Sequence, residues 1–220
     1  MSTSTSVLRF SDGTYLTSEL PPDANGELAA AQQLRYRVFV ENLGWVRPAE
    51  QDELRDVDPY DDKACHFIVT DCLGETVGTI RLLRGGESGF MLDKEFIALV
   101  GENGNAVRHS PECAELSRLA VKPELSPKDR HDVAMCLYRA AYAWSGIHGV
   151  VHWYVVIEVS FLKVLQRLGF PFRRVGRSHH FQPQVTTVAA TLDLTEAARS
   201  LRTLDPDRLA WFETIGVPDA

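Results

Sequence analysis

The stretch Cys113–Pro123 contains two charged residues within an alternating apolar segment that ends at a proline. Alternation with a terminal proline is typical of a strand near the middle of a sheet. Glu115 and, after a register slip, Arg118 interrupt the alternation with opposite charges. Because an unpaired charge is costly to bury, two interpretations remain open. The pair either closes a strand end as a structural ion pair, or provides a reactive carboxylate with a charged partner at a cleft.

The segments that follow predict a β–α–β unit. Pro127–Ile147 shows the apolar spacing of a helix, and Val150–Ile157 is a continuous apolar run typical of a strand buried on both faces. The other predicted elements are strands within 6–20 and at His66–Asp71, Thr76–Leu83, Phe172–Gly176 and Val185–Leu192, and helices at Glu27–Leu43, Met91–Val100, Glu158–Leu168, Thr195–Leu204 and Pro206–Ile215. This order predicts an α/β fold, a mixed central sheet with helices on both faces, in a single domain spanning residues 1–220.

Composition limits the possible functions and compartments. The net charge of −7 argues against general nucleic-acid binding. We find no signal peptide and no apolar run long enough to span a membrane. The four cysteines, at 65, 72, 113 and 136, lack zinc-site spacing, so we expect free thiols in a reducing cytoplasm and no metal.

Several short motifs occur in an order and at a spacing found in one family. They are Arg35 with Phe39 four residues later, Leu43-Gly44-Trp45, the acidic run Asp56-Val57-Asp58-Pro59-Tyr60-Asp61, Gly78-Thr79-Ile80-Arg81, Met91-Leu92 with Phe96, and Glu115-Leu116-Ser117-Arg118. With these motifs the first 125 residues resemble the LuxI-type acyl-homoserine-lactone synthases (autoinducer synthases), which have the GCN5-related N-acyltransferase fold. Residues 150–176 more closely resemble exosortase-associated acyltransferases and N-acyl amino acid synthases.

The resemblance implies an enzyme that makes a quorum-sensing signal. An acyl group would pass from acyl-carrier protein or acyl-CoA to the amine of S-adenosylmethionine, and lactonisation would release methylthioadenosine. These molecules would be substrates, with no tightly bound cofactor. Two alternatives remain open. One is an N-acyl amino acid synthase that forms no lactone, and the other is a non-catalytic module that binds acyl groups or carrier protein.

Acyl transfer to an amine requires deprotonation of the ammonium and stabilisation of the oxyanion. We predict Glu115 as the general base, with Arg118 orienting it or a substrate carboxylate. The remaining candidates come from the resembled family's acceptor site: Asp58, Asp61 and Arg81 as catalytic residues, and Arg35, Phe39, Trp45 and Asp56 as binding residues. Acids attract a cationic acceptor, and aromatic faces suit a sulfonium. The alternatives are turn-capping acids and ordinary core aromatics.

The loop after the Glu115 strand lacks the glycines with which many acetyl-CoA enzymes of this fold bind pyrophosphate. Instead it carries Lys122, Lys128 and Arg130. We predict that these residues bind the single phosphate of a phosphopantetheine arm or an acidic carrier protein, with solvated loop charges as the alternative. Basic residues are also frequent further on, including Arg173 and Arg174, and suggest a surface for that carrier.

Overall fold

The computed structural model describes residues 8–46, 54–86, 89–100, 107–182 and 185–214. The strands are β1 (Arg9–Ser11), β2 (Leu16–Glu19), β3 (Cys65–Thr70), β4 (Thr76–Arg84), β5 (Cys113–Val121), β6 (His152–Glu158), β7 (Arg173–Gln182) and β8 (Val185–Asp193). The helices are α1 (Asn25–Tyr36), α2 (Met91–Lys94), α3 (Ile97–Val100), α4 (Pro127–His148), α5 (Val159–Arg167), α6 (Leu194–Leu204) and α7 (Pro206–Glu213). The strands follow the order β1-β2-β3-β4-β5-β6-β8-β7 in one sheet.

The described residues group into two compact units. The first contains the residues up to Arg81 together with Arg118–Trp144, and the second contains Leu82–Ser117 and Ser145–Thr214. The expectation of a single domain over the whole chain stays a prediction. None of the helices in the described ranges has the length and apolarity needed to cross a bilayer.

In the first unit, β1, β2 and β3 pair antiparallel, with Phe10 opposite Thr17 and Thr17 opposite Val69. Helix α4 packs closely against β4 at Gly78, where an added Cβ would lie 2.4 Å from the Val133 side chain. Only glycine leaves room for this approach, and the close packing places the apolar face of α4 in the core.

Helix α1 continues as a π-helix over Arg37–Asn42, so the last part of the predicted helix Glu27–Leu43 is helical but has a different geometry. Gly44, at φ +62°, follows the helix end and confirms the predicted cap. Leu43, directly after the π-helix, is 43% exposed, whereas Leu34 and Val38 are buried. The wider turn of the π-helix changes the face on which its last residues lie, because it has more residues per turn than an α-helix.

In the second unit, β5 and β6 run parallel, with Glu115 opposite Tyr154, which confirms the predicted β–α–β unit. Strands β6, β8 and β7 pair antiparallel, so the sheet is mixed as predicted. Strand β7 does not end at Gly176 but continues to Gln182 through a register shift. Gly176 adopts φ +80° at that shift, and an added Cβ would lie 2.0 Å from the Leu99 carbonyl oxygen.

Two predicted helices begin or divide differently from expectation. Thr195 does not cap α6, because the Asp193 carboxylate accepts the Glu196 N–H at 3.0 Å and the helix begins at Leu194. The predicted helix Met91–Val100 is two helices, α2 and α3. Three parts of predicted segments lie outside the described residues: 6–7, 47–53 and Ile215.

Candidate acceptor site

Three arginines and three aspartates form a charge cluster in the first unit. Each arginine comes from a different element, and the aspartates come from the chain before β3. The members are Arg35 on α1, Arg81 on β4, Arg118 on β5, and Asp56, Asp58 and Asp61. Formal charges balance at three of each sign. The six predicted residues therefore do come together, although they are spread over 84 positions of the sequence (118 − 35 + 1).

Asp61 lies at the centre of the cluster. Its Oδ1 accepts hydrogen bonds from Arg35 Nη1 at 2.8 Å and Arg81 Nη1 at 2.7 Å. Its Oδ2 accepts from Gln32 Nε2 at 3.0 Å, and its backbone oxygen lies 3.0 Å from His66 Nε2. Asp61, Arg35 and Arg81 are all buried. Charge-assisted bonds of this kind are among the strongest in proteins, so Asp61 joins three elements into one rigid group.

Asp56 and Asp58 link this centre to Arg118. Asp56 Oδ2 lies 2.9 Å from Arg35 Nε and 2.8 Å from Arg118 Nε. Asp58 binds Arg81 through Oδ1 at 2.5 Å, and its Oδ2 lies 3.0 Å from Arg118 Nη2. The Asp58 and Arg118 side chains keep 12% and 16% of their surface exposed, whereas Asp56 is buried. Asp58 and Arg118 thus form the solvent-facing rim of the cluster.

Arg118 has a left-handed backbone, with φ +55°, in the middle of β5. This conformation is uncommon for a residue with a side chain and often marks a functional site. It coincides with the register slip predicted from the sequence. In a regular strand, successive side chains such as those of residues 117 and 118 point to opposite faces of the sheet. The left-handed conformation of Arg118 interrupts this alternation. The irregularity therefore allows Arg118 to reach both aspartates.

Aromatic rings lie beside the cluster. Phe39, on the π-helix, stacks with Trp45 at a centroid distance of 6.3 Å, and the Arg118 guanidinium lies 5.9 Å from the Phe39 ring centre. Arg81 lies 5.7 Å from the Tyr60 ring centre. Phe39 is buried in a cluster with Leu34, whereas Trp45 is 41% exposed. The predicted aromatic wall therefore has one anchored ring and one ring open to solvent.

Burial and the charges of the cluster shift the pKa values of Asp61 and Arg35 and of the neighbouring His66. Burial alone would raise the pKa of Asp61, but Arg35 and Arg81 outweigh it and lower that pKa to about 2. Burial opposes the charge on Arg35, yet Asp56 and Asp61 outweigh it and raise the pKa of the guanidinium. Burial also lowers the pKa of His66, and the positive charges of Arg35 and Arg81 lower it further. At neutral pH Asp61 and Arg35 are therefore charged and the His66 imidazole is not.

We expect the free energy of unfolding to decrease as the pH falls. The folded-state pKa values of Asp61 and His66 lie below their ordinary values of 3.8 and 6.5, so the unfolded chain binds more protons at acid pH. The free energy of unfolding begins to decrease below about pH 6.5 because of His66, and it decreases by about 2 kcal/mol between about pH 4 and 2 because of Asp61. Urea unfolding at a series of pH values measures both.

The variant His66→Gln should remove the part of the decrease that begins near neutral pH. Asp62→Asn, which changes an exposed neighbouring carboxylate, should follow the wild-type curve. A wild-type free energy of unfolding that stays constant from pH 6.5 to pH 3 would contradict the pKa directions.

Glu115 lies on β5 in the second unit and is 1% exposed. Its Oε2 accepts the Met91 N–H at 2.7 Å and its Oε1 accepts the Leu92 N–H at 3.1 Å. The carboxylate therefore satisfies two N–H groups at the start of α2. These bonds hold the carboxylate in one orientation.

The three basic residues predicted to bind phosphate each have a local partner. Lys122 Nζ lies 2.5 Å from Glu75 Oε2, Lys128 Nζ lies 2.6 Å from Asp132 Oδ2, and Arg130 Nη1 donates to the Pro123 carbonyl at 3.2 Å. Lys128 is largely exposed. Exposed pairs of this kind contribute little and exchange easily, so a phosphate role for these residues stays a prediction.

Sequence reasoning missed Gln32 and His66 as members of the site. Neither residue belongs to the motifs from which the site was predicted. Both are buried and both bind Asp61. One signal was present: Gln32 lies three residues before Arg35, a spacing that places two side chains on one helix face.

Comparison with known proteins identifies the relatives of this chain. The acetyltransferase (GNAT) domain family matches residues 34–135. The acyl-homoserine-lactone synthase of Agrobacterium fabrum is 30% identical over 155 residues, covering 68% of this chain and 71% of the relative. The L-ornithine N(alpha)-acyltransferase of Rhizobium meliloti is 35% identical over 136 residues, but the match covers 56% of this chain and 44% of the relative.

Among solved structures, TofI, in a ternary complex with an inhibitor and MTA, superimposes with a TM-score of 0.68 at 27% identity. The match covers 87% of this chain and 98% of TofI. These similarities confirm the predicted α/β fold of the N-acyltransferase class and the assignment as an acyltransferase. The chain belongs to the family of acyl-homoserine-lactone synthases.

Proposed function

We propose that the chain synthesises an acyl-homoserine lactone, a quorum-sensing signal, from S-adenosylmethionine and an acyl thioester. The observation that carries the proposal is the cluster of Arg35, Arg81 and Arg118 with three aspartates, beside the stacked rings of Phe39 and Trp45. The rim carboxylate of Asp58 attracts the cationic acceptor, and an aromatic face stabilises a sulfonium. Relatives named as synthases of this product, and TofI with MTA, support it.

In the first step the acceptor amine attacks the thioester carbonyl. The ammonium must first lose a proton, and we assign that role to Glu115, directly or through water. Its two backbone hydrogen bonds fix the orientation of the carboxylate. The C–N bond forms and the C–S bond breaks. Of the two protons that the ammonium gives up, one leaves on the thiol and the other passes from Glu115 to solvent. Because the amine attacks directly, no covalent acyl-enzyme is needed.

In the second step the acceptor's own carboxylate oxygen attacks the carbon next to the sulfonium. The C–O bond closes the five-membered lactone, and the C–S bond breaks to release methylthioadenosine, so the sulfonium becomes a neutral thioether. We propose that Arg118, on the rim of the cluster, orients the carboxylate for this displacement. This step needs no further reactant.

We propose that the thioester is carried by acyl-carrier protein or CoA, with Lys122, Lys128 and Arg130 contacting the phosphopantetheine phosphate. The free state of all four cysteines is consistent with a cytoplasmic reaction. The docking surface for a carrier protein would include Arg173 and Arg174, both exposed on β7. An acidic carrier is attracted by such a basic edge.

Reversing Arg173 and Arg174 to glutamate is expected to raise the KM for acyl-carrier protein about tenfold, because it removes the attraction that speeds association. The KM for acyl-CoA should change much less. The matched control reverses Arg199 and Arg202, two exposed arginines on α6. Equal losses with both thioesters, or an unchanged KM for the carrier protein, would contradict this docking surface.

The ornithine acyltransferase relative supports a second candidate, acylation of an amino acid without lactonisation. Mass spectrometry of extracts from cells producing the chain separates the two functions. The proposed function predicts an acyl-homoserine lactone that is absent from cells carrying the empty vector. A free N-acyl amino acid in its place would favour the second candidate and overturn the first.

A further inference from the structure

Asp61 has every polar atom engaged within the protein. Its Oδ1 holds Arg35 and Arg81, its Oδ2 accepts from Gln32, its carbonyl oxygen is bound by His66, and its N–H donates to the Asp58 carbonyl at 3.2 Å. The side chain is only 3% exposed. A substrate therefore has no access to Asp61 without breaking one of these bonds. Asp61 acts by holding Arg35 and Arg81 in place. Asp58 and Arg118 form the solvent-facing rim of the cluster.

Two of the side chains that bind Asp61, those of Gln32 and His66, carry no charge. A carbonyl oxygen can only accept, so His66 Nε2 must carry the ring proton and donate it at 3.0 Å. Gln32 donates through its amide at 3.0 Å, and its own carbonyl accepts the Asp56 N–H at 3.0 Å. Gln32 thus contacts two of the three aspartates, one through its side chain and one through its backbone.

The absence of charge on these two donors has a physical consequence. The three arginines and three aspartates already balance, and the proposed acceptor carries an ammonium and a sulfonium. A third cationic donor on Asp61 would give the cluster a net positive charge and repel that acceptor. Neutral donors fix Asp61 without this cost. The negative charge of Asp61 then pairs with the arginines Arg35 and Arg81. Arg81 in turn binds the rim residue Asp58 at 2.5 Å.

We propose that Gln32 and His66 are positioning residues of the acceptor site: they hold Asp61, and through it the two buried arginines, in the arrangement that binds the acceptor. This inference rests on the proposed function for the identity of the acceptor. Neither residue touches substrate, and both act through Asp61 and Arg81.

The test measures KM for both substrates in Gln32→Leu and His66→Phe. Gln32→Leu removes a hydrogen bond to the buried Asp61 carboxylate, and His66→Phe removes one to the buried Asp61 backbone carbonyl. Each loss is expected to raise the KM for S-adenosylmethionine about tenfold, with the KM for acyl-CoA unchanged. The variant His66→Gln, whose amide can donate to the same carbonyl, should return to within about threefold of wild type. Gln33→Leu and His131→Phe, at exposed positions on α1 and α4, are the matched controls.

A merely structural role would change both KM values together, or lower kcat in proportion to the folded fraction, and either result would overturn the inference.

Nitrogen NMR of the histidine rings distinguishes a failure of this inference from a failure of the proposed function. The inference requires the Nε2–H tautomer of His66 whatever the acceptor is, and an Nδ1–H tautomer would overturn it. If the wild type makes no lactone but shows the Nε2–H tautomer, the proposed function fails while the positioning geometry holds.

Discussion

Replacing Glu115 with glutamine is expected to lower kcat by about 10²- to 10⁴-fold, the usual contribution of a positioned general base. Glutamine keeps the shape of the side chain but cannot take a proton from the acceptor ammonium. Its amide oxygen can still accept the Met91 or Leu92 N–H, so part of the anchoring of α2 remains. Steady-state kinetics with the folded fraction measured by circular dichroism give the value.

The matched control is Glu112→Gln, an exposed carboxylate just before the same strand, which should retain wild-type kcat. The variant Glu115→Asp keeps the charge with a shorter reach and should fall between wild type and Glu115→Gln. Undiminished product from Glu115→Gln would remove the general base from the mechanism. It would also support the alternative of a non-catalytic binding module.

Replacing Arg81 with methionine is expected to destabilise the protein by about 3–5 kcal/mol, because breaking a buried pair leaves charge uncompensated. Arg81 is fully buried and binds both Asp58 and Asp61. Acceptor binding should be lost along with stability, since the acids then repel one another. Urea unfolding and calorimetric titration with S-adenosylmethionine measure the two effects.

Arg84→Met is the matched control on the same strand, because Arg84 is exposed and donates to the backbone carbonyls of Pro111 and His148. It should cost about 1 kcal/mol or less. Adding Asp58→Asn to Arg81→Met should destabilise less than the sum of the two single changes, because the pair is coupled. Strict additivity, or a small effect of Arg81→Met alone, would show that the cluster is not a buried network.

The charged half of the site was predictable because its residues lie in short motifs. The helical spacing of Arg35 and Phe39, the run from Asp56 to Asp61 and the interrupted strand at Arg118 each leave a local pattern. The resemblance to the synthase family then assigned these motifs to one site. The break in alternation before Arg118 corresponds to its positive φ.

The two uncharged residues of the site, Gln32 and His66, were not predictable, because they resemble any polar residue in a helix or strand. Their roles depend on contacts with Asp61, 29 residues and 5 residues away. The backbone partners of Glu115 lie 23 and 24 residues earlier, and no side-chain pattern indicates which N–H groups a carboxylate will find. The predicted helix began at Thr195, whereas the Asp193 carboxylate caps α6; both residue types suit a cap, so the sequence alone does not choose between them.

Product stoichiometry with purified protein tests the central claim most directly. S-adenosylmethionine and an acyl thioester are mixed with the enzyme, and thiol release, lactone and methylthioadenosine are quantified together by mass spectrometry. The proposed function predicts equal amounts of all three. Thiol release with an open-chain amide and no methylthioadenosine would contradict it.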